Sequence, residues 1–130
     1  ERLGIAPSTA GFVMPLGTTM NMSGTALYEG CVVLFVAQVF GVHLGLAEQV
    51  TLVFLSVLSA VAVAAIPGGS LPLIAGLLVA FGIPPEGIGI ILGVDRLLDM
   101  TRTMTNVGSD LVTTAVVDAR QRATGHAGRV

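Results

Sequence analysis

The chain has 130 residues, 53% hydrophobic and only 11% charged, with a formal net charge of −2 and a mean hydropathy of +0.89. A soluble domain carries about 25% charged residues, so this surface cannot all face water, and lipid or other protein must cover much of it. No lysine occurs, and Glu48 and Glu86 are the only charges between Gly30 and Val94, which excludes the basic footprint of a nucleic-acid binder. The single cysteine, Cys31, excludes an internal disulfide or a cysteine-rich metal site, and its apolar surroundings read as those of a small buried hydrophobe. Glu1 opens the chain with no initiator Met and no targeting signal, so the sequence reads as a piece of a longer protein.

Four hydrophobic stretches follow. The first, about 10–19, is short and interrupted by Pro15 and Gly17. The second, about 26–47, is long enough to cross a hydrocarbon core of roughly 30 Å at about 1.5 Å per residue. It includes Glu29, which reads as sitting near the membrane interface. The third and fourth, about 50–65 and 71–83, are each too short to span comfortably, and only Ile66-Pro67-Gly68-Gly69-Ser70 separates them. Two short apolar helices on a tight Pro-Gly-Gly turn predict a re-entrant helical hairpin. Pro84-Pro85-Glu86-Gly87 predicts a turn, and a last helix is expected over about 88–117. Residues 119–130 read as a polar tail with Arg120, Arg122 and Arg129, which places the C-terminus in the cytoplasm by the positive-inside rule. The fold class is an all-α integral membrane protein: a discontinuous transmembrane helix, a spanning helix, a re-entrant hairpin and a final polar-striped helix.

The last helix holds the densest chemistry. At about 100° per residue, Asp95, Asp99, Arg102, Asn106, Asp110 and Thr113 fall on one stripe about 80° wide. Burying one charge in a bilayer costs several kcal/mol, so such a face needs partners, water or ions. Arg102 offers a planar fork for a carboxylate, Asp99 could receive an ammonium, and Asn106 can donate and accept at once. Asp110 is a hard oxygen ligand for a small cation such as sodium. Together they could hold both ends of an acidic amino acid. The second polar cluster, Gly17 to Thr25, interrupts what would otherwise be one helix. Unwound backbone is tolerated at membrane depth where it lines a cavity or binds an ion.

Three motifs make a resemblance specific. Pro15-Leu16-Gly17-Thr18-Thr19-Met20-Asn21-Met22-Ser23-Gly24-Thr25 resembles the Asn-Met-Asp-Gly-Thr signature of the dicarboxylate/amino acid:cation symporters. Ile66 to Ser70 is similar to the tip of that family's second re-entrant hairpin, and Asp95 to Asn106 followed by Asp110 to its last transmembrane helix. The resemblance covers Pro15 to Asp118, in the right order.

It implies that residues 1–118 are the C-terminal part of a transport domain in a multi-pass plasma-membrane protein. The activity implied is sodium-coupled symport of glutamate or aspartate by an elevator motion, with the hairpin as gate and a homotrimer formed through a scaffold in the remainder of the transporter chain. Arg102 would bind the side-chain carboxylate with help from Thr25. Asp99 and Thr103 would hold the ammonium, and Asn106 the main-chain carboxylate, with backbone groups of Ile66, Pro67, Gly68, Gly69 and Ser70. One sodium would use Asp110 and carbonyls of Gly17, Asn21 and Asn106. A second would use carbonyls near Thr19 and at Ala60, Val61 and Val63. Members for neutral amino acids typically lack the equivalent of Arg102, and those for C4-dicarboxylates the equivalent of Asp99; this chain has both.

Ser23 stands where the signature has aspartate, a residue that serves a further sodium in that family. Ala65 and Ser70 replace glycines common at the hairpin tip. Proton coupling, with Glu29 as a carrier, and a C4-dicarboxylate substrate are the rival readings within the family. A transport-incompetent remnant is the rival of another class. No His-Glu-x-x-His, Gly-x-Ser-x-Gly or paired-aspartate signature favours an enzyme.

Overall fold

The computed structural model describes residues 4–63 and 68–125, and every regular element among them is helical. Six α-helices follow in order: α1 (Pro7–Met20), α2 (Ser23–Val39), α3 (Leu46–Ala62), α4 (Leu71–Ala80), α5 (Ile88–Leu92) and α6 (Asp95–Ala123), with one 3₁₀ turn at Pro85–Gly87. Taken together, Pro7–Val39 is long and apolar enough to cross a membrane by length and composition.

The expected interruption is present. Helix α1 contains Pro15, which has no N–H to offer the preceding turn, and the helix stops at Met20. Asn21 and Met22 have non-helical backbone angles, and α2 restarts at Ser23. The second stretch ends earlier than expected, at Val39 rather than near Ala47. Gly41 has φ +68°, and the Val42 N–H donates to the Ala37 carbonyl at 2.8 Å. That is a left-handed glycine stop, which satisfies carbonyls that a continuing helix would have left open. Helix α4 ends the same way, with Gly82 at φ +68° and the Ile83 N–H on the Leu78 carbonyl at 2.8 Å.

Helix α2 is the hub. It packs on α3, α4 and α6, while α1 lies along α6. Val32, Val33, Val36 and Ala37 from α2 meet Leu52 from α3 and Ile74, Leu77 and Leu78 from α4. Gly87 lies so close to α2 that a Cβ there would stand 2.3 Å from Val36 Cγ1. Helices α3 and α4 both rest on α2 and touch one another. Residues 64–67, with the Ala65, Ile66 and Pro67 assignments, lie outside the described residues.

Two expectations are corrected at the C-terminal end. The single helix over 88–117 is two helices, because Gly93 weakens the chain and Val94 leaves helical geometry at φ −120°. A new N-terminus forms with Asp95 in its first turn, where an acidic residue complements the helix dipole. The second helix then runs to Ala123, into the expected polar tail. Arg120 and Arg122 suit its C-terminus, and Arg122 pairs with Asp118 one turn back at 2.8 Å.

The exposed side chains are strongly apolar. Phe12, Leu27, Val53, Phe54, Leu58, Leu97 and Met104 are each more than 60% exposed in this chain. Cys31 is also exposed, correcting its reading as a buried hydrophobe: it points away from the face of α2 that meets α3, α4 and α6. Glu29 is corrected in the opposite sense. It is 0% exposed on the packed face of α2, not at an edge.

Candidate functional site

The broken helix runs antiparallel along α6, and their contact line holds the polar stripe. Asp118 meets Ala6, Asp110 meets Gly17 and Asn21, Asn106 meets Gly24 and Thr25, and Arg102 lies over Tyr28. Two small residues allow this approach. A Cβ on Gly17 would stand 2.6 Å from Asp110 Oδ1, and a Cβ on Gly24 2.5 Å from the Arg102 carbonyl oxygen. At Gly24 the obstacle is main chain and cannot give, whereas at Gly17 it is the Asp110 carboxylate, which would have to turn away.

At the break the two helix ends leave backbone groups without helical partners. The Gly24 N–H donates to Asn106 Oδ1 at 2.7 Å. The Asn21 N–H donates to the Gly17 carbonyl at 2.7 Å. The carbonyls of Thr18, Thr19 and Met20 receive no hydrogen bond among the described residues. Asn21 Nδ2 reaches Ser109 Oγ at 2.8 Å and Asp110 Oδ1 at 2.9 Å. Asp110 is only 2% exposed. Gly17, Asn21, Ser109 and Asp110 therefore come together at the break, with Asn106 one turn away on α6.

One helical turn further, Asn106 uses its whole carboxamide. Besides accepting from Gly24, its Nδ2 donates to Thr25 Oγ1 at 3.2 Å and contacts Met22 Sδ at 3.4 Å. Thr25 is buried. Arg102 is buried too. Its Nη1 donates to Ser70 Oγ at 2.6 Å, its Nη2 pairs with Asp99 Oδ1, and its guanidinium lies over the Tyr28 ring at 5.6 Å. Cationic planes are held favourably on aromatic faces. The Tyr28 hydroxyl donates to Asp95 Oδ1 at 2.7 Å.

Of the predicted substrate residues, Thr25, Ser70, Asp99, Arg102 and Asn106 thus come together. Gly68 and Gly69 lie in the turn that leads to Ser70, with Gly68 at φ +73°. Thr103 stands apart: it is exposed, and its hydroxyl donates to its own helix at the Asp99 carbonyl, 2.8 Å away. Thr113 is exposed where the stripe predicted it inside, and Thr114 is buried in its place. Because 3.6 residues per turn do not repeat evenly, the contact line drifts around α6 from Arg102 to Asp118.

The second predicted ion group is less assembled. Ala60 and Val63 are buried at the end of α3, and the Val63 N–H points to the Ala60 carbonyl at 3.4 Å. Val61 is exposed, and the exposed Thr19 hydroxyl donates back to the Pro15 carbonyl at 3.1 Å. No hydrogen bond among the described residues joins Thr19 to that end of α3.

Sequence reasoning missed Tyr28, Ser109 and Asp118. Tyr28 was findable: it is the only tyrosine and falls three residues after Thr25, one turn along the same helix face. Asp118, at the edge of the resemblance, was given no role, yet it is 5% exposed and accepts the Ala6 N–H at 3.0 Å at the start of α1.

The sequence pattern of the Sodium:dicarboxylate symporter family matches residues 1–120. The chain is similar to the proton/sodium-glutamate symport protein of Bacillus subtilis (strain 168), 37% identical over 90% of this chain and 27% of the relative. It is similar to a proton/glutamate-aspartate symporter of the same organism, 36% identical over 95% of this chain and 30% of the relative. Excitatory amino acid transporter 4 of Mus musculus is 40% identical over 91% of this chain and 21% of its own length. The chain therefore spans about a quarter of the length of the curated relatives it matches. On these matches, the chain belongs to the Sodium:dicarboxylate symporter family.

Proposed function

We propose that this chain supplies the substrate- and ion-binding part of a membrane symporter for glutamate or aspartate, driven by sodium. The observation that carries the reading is the buried Arg102 beside Asp99, with Asn106 and Thr25 one turn away. A guanidinium for one carboxylate, a carboxylate for an ammonium and an amide for a second carboxylate match the three charged groups of an acidic amino acid. The names of the relatives, which include glutamate and aspartate symport, support the same substrate class.

Sodium is the coupling ion in this reading. Asp110 supplies the charge, and carbonyls of Gly17, Asn21 and Asn106 supply neutral oxygens, a donor set suited to a hard cation. Carbonyls near Thr19 and at Ala60, Val61 and Val63 are the second group. The free carbonyls of Thr18, Thr19 and Met20 support an ion at the helix break. In the full protein, α3 and α4 would form a re-entrant hairpin that gates the site. Residues 1–118 would move as part of an elevator against a trimeric scaffold in the plasma membrane, with the C-terminus in the cytoplasm.

Labelled L-aspartate uptake into proteoliposomes holding the full-length protein tests this. Accumulation driven by an inward sodium gradient is expected. Absence of aspartate uptake in folded protein would refute the substrate assignment.

A second reading, in which a proton is also coupled, is favoured by Glu29. It is 0% exposed, and among the described residues neither carboxyl oxygen meets a well-formed hydrogen-bond partner, Ser59 being the hydroxyl beside it. A side chain of that kind, in a family with relatives named as proton symporters, is a reasonable carrier. Glu29→Gln should then flatten the pH dependence of aspartate uptake while sodium dependence persists. A pH profile identical to that of the parent protein would remove Glu29 from coupling.

A further inference from the structure

We infer that the Ser70 hydroxyl is a built-in placeholder for Arg102, a ligand that the carboxylate of an acidic substrate must displace, and that it thereby sets the affinity of the site. The inference rests on the reading of Arg102 as the carboxylate binder. It concerns a residue that stands where related hairpin tips commonly have glycine, and so have no side chain to offer.

Three observations support it. Ser70 Oγ accepts from Arg102 Nη1 at 2.6 Å, with both residues buried, Ser70 at 1% and Arg102 at 9% exposure. Ser70 is also the N-cap residue of α4, a position where serine ordinarily turns its oxygen onto the backbone N–H groups of the first turn. Here it makes no such bond; its oxygen is spent on Arg102 instead. Finally, the two terminal nitrogens of the Arg102 fork are each engaged, one of them by Ser70. Nη2 pairs with Asp99 and the flat face rests on Tyr28, so Ser70 holds the terminal nitrogen that Asp99 leaves.

A carboxylate prefers the two parallel N–H groups of that fork. In the structure a neutral hydroxyl occupies one of them. A bond from a guanidinium to a carboxylate is stronger than one to a hydroxyl, so exchange favours the substrate, but the Arg102–Ser70 bond must break first. Only the fraction of molecules with Nη1 free is competent, and apparent affinity falls by that fraction. Removing the hydroxyl should raise the competent fraction toward one.

The experiment is a titration of the purified full-length protein with L-aspartate at saturating sodium, comparing the parent protein with Ser70→Ala and Ser70→Thr. Ser70→Ala should bind aspartate more tightly, by about tenfold, the order expected for one hydrogen bond to a charged group. Ser70→Thr keeps a hydroxyl on the same carbon and should bind more weakly than Ser70→Ala. Because the hydroxyl does not cap α4, Ser70→Ala should not lower the melting temperature through loss of a cap, and Ser70→Gly serves as a second hydroxyl-free variant. Equal or weaker aspartate binding in both hydroxyl-free variants, with the parent binding normally, would overturn the inference while leaving Arg102 as the carboxylate binder. A parent protein that binds no aspartate would overturn the substrate reading, and the placeholder role with it.

Discussion

Replacing Gly24 with alanine puts a methyl group at the closest approach of α2 and α6. Its Cβ would lie 2.5 Å from the Arg102 carbonyl oxygen, 2.8 Å from Thr105 Cβ and 3.0 Å from Asn106 Oδ1. Ordinary contact begins at 3.4 Å, so the methyl is about 0.9 Å too close to a main-chain atom that cannot rotate away. Alanine returns about 1 kcal/mol of helix propensity. Against that, overpacking costs about 1–3 kcal/mol, and parting the helices weakens the 2.7 Å bond from the Gly24 N–H to Asn106, about 1 kcal/mol more. The balance is a loss of roughly 1–3 kcal/mol.

That loss falls on the site, because the atoms pushed aside belong to Arg102 and Asn106. Aspartate affinity in the full-length protein should fall about tenfold or more, together with a lower melting temperature. Gly11 in α1 is the control: a Cβ there meets nothing within 4 Å, so Gly11→Ala should leave affinity alone. A binding titration and a thermal melt on the two variants decide the matter. Gly24→Ala with parental affinity and melting would refute the close packing of α2 on α6, and with it the geometry of the site.

Gly17→Ala should act on the ion instead of the substrate: its Cβ would stand 2.6 Å from Asp110 Oδ1, so the carboxylate must turn away. The sodium concentration for half-maximal aspartate binding should rise about tenfold, and an unchanged sodium titration would take Asp110 out of the ion site. Asp118→Ala should cost about 1–3 kcal/mol of stability, because it strands the Ala6 N–H at the start of α1 and takes from Arg122 its carboxylate partner, leaving it the Gly4 carbonyl alone. A thermal melt indistinguishable from the parent would show that this end of α1 is held by other contacts.

The parts of the fold that were legible in the sequence are those written in residue type. The break at Asn21-Met22 was visible because Pro15, Gly17 and a run of Thr, Asn and Ser oppose a continuous apolar helix. The grouping of Asp99, Arg102, Asn106 and Asp110 was visible because helical spacing alone puts them on one stripe. Where the reading failed, the deciding force was local or tertiary. Apolar residues continue past Val39, so hydropathy ran the helix on to Ala47, yet one left-handed glycine at Gly41 ends it. Glu29 was placed near an edge on its charge, but its position in α2 sets it inward with Val32, Val33 and Val36. Ser70 was read as a backbone contributor at the hairpin tip and as a departure from glycine; that its hydroxyl faces Arg102 depends on how α4 is set against α6, which no local pattern encodes.

The pairing of Arg102 with Asp99 also bears on which ligand such a site can take. Each group answers the other's charge, with Ser70 completing the arginine. A ligand that draws one of them away must answer the charge it strands, since breaking a buried pair from one side costs about 3–5 kcal/mol. A neutral amino acid brings an ammonium for Asp99 and nothing for the Arg102 fork. A C4-dicarboxylate brings a carboxylate for Arg102 and nothing for Asp99. Either deficit corresponds to a loss of roughly a hundredfold or more in affinity. An acidic amino acid brings both, so the internal pair can open without leaving a bare charge in a buried place. Competition of L-aspartate, succinate and L-alanine for the same site tests this logic. Succinate or alanine binding as tightly as aspartate would mean that the Arg102–Asp99 pair stays closed when ligand is bound, and that recognition is carried by other groups.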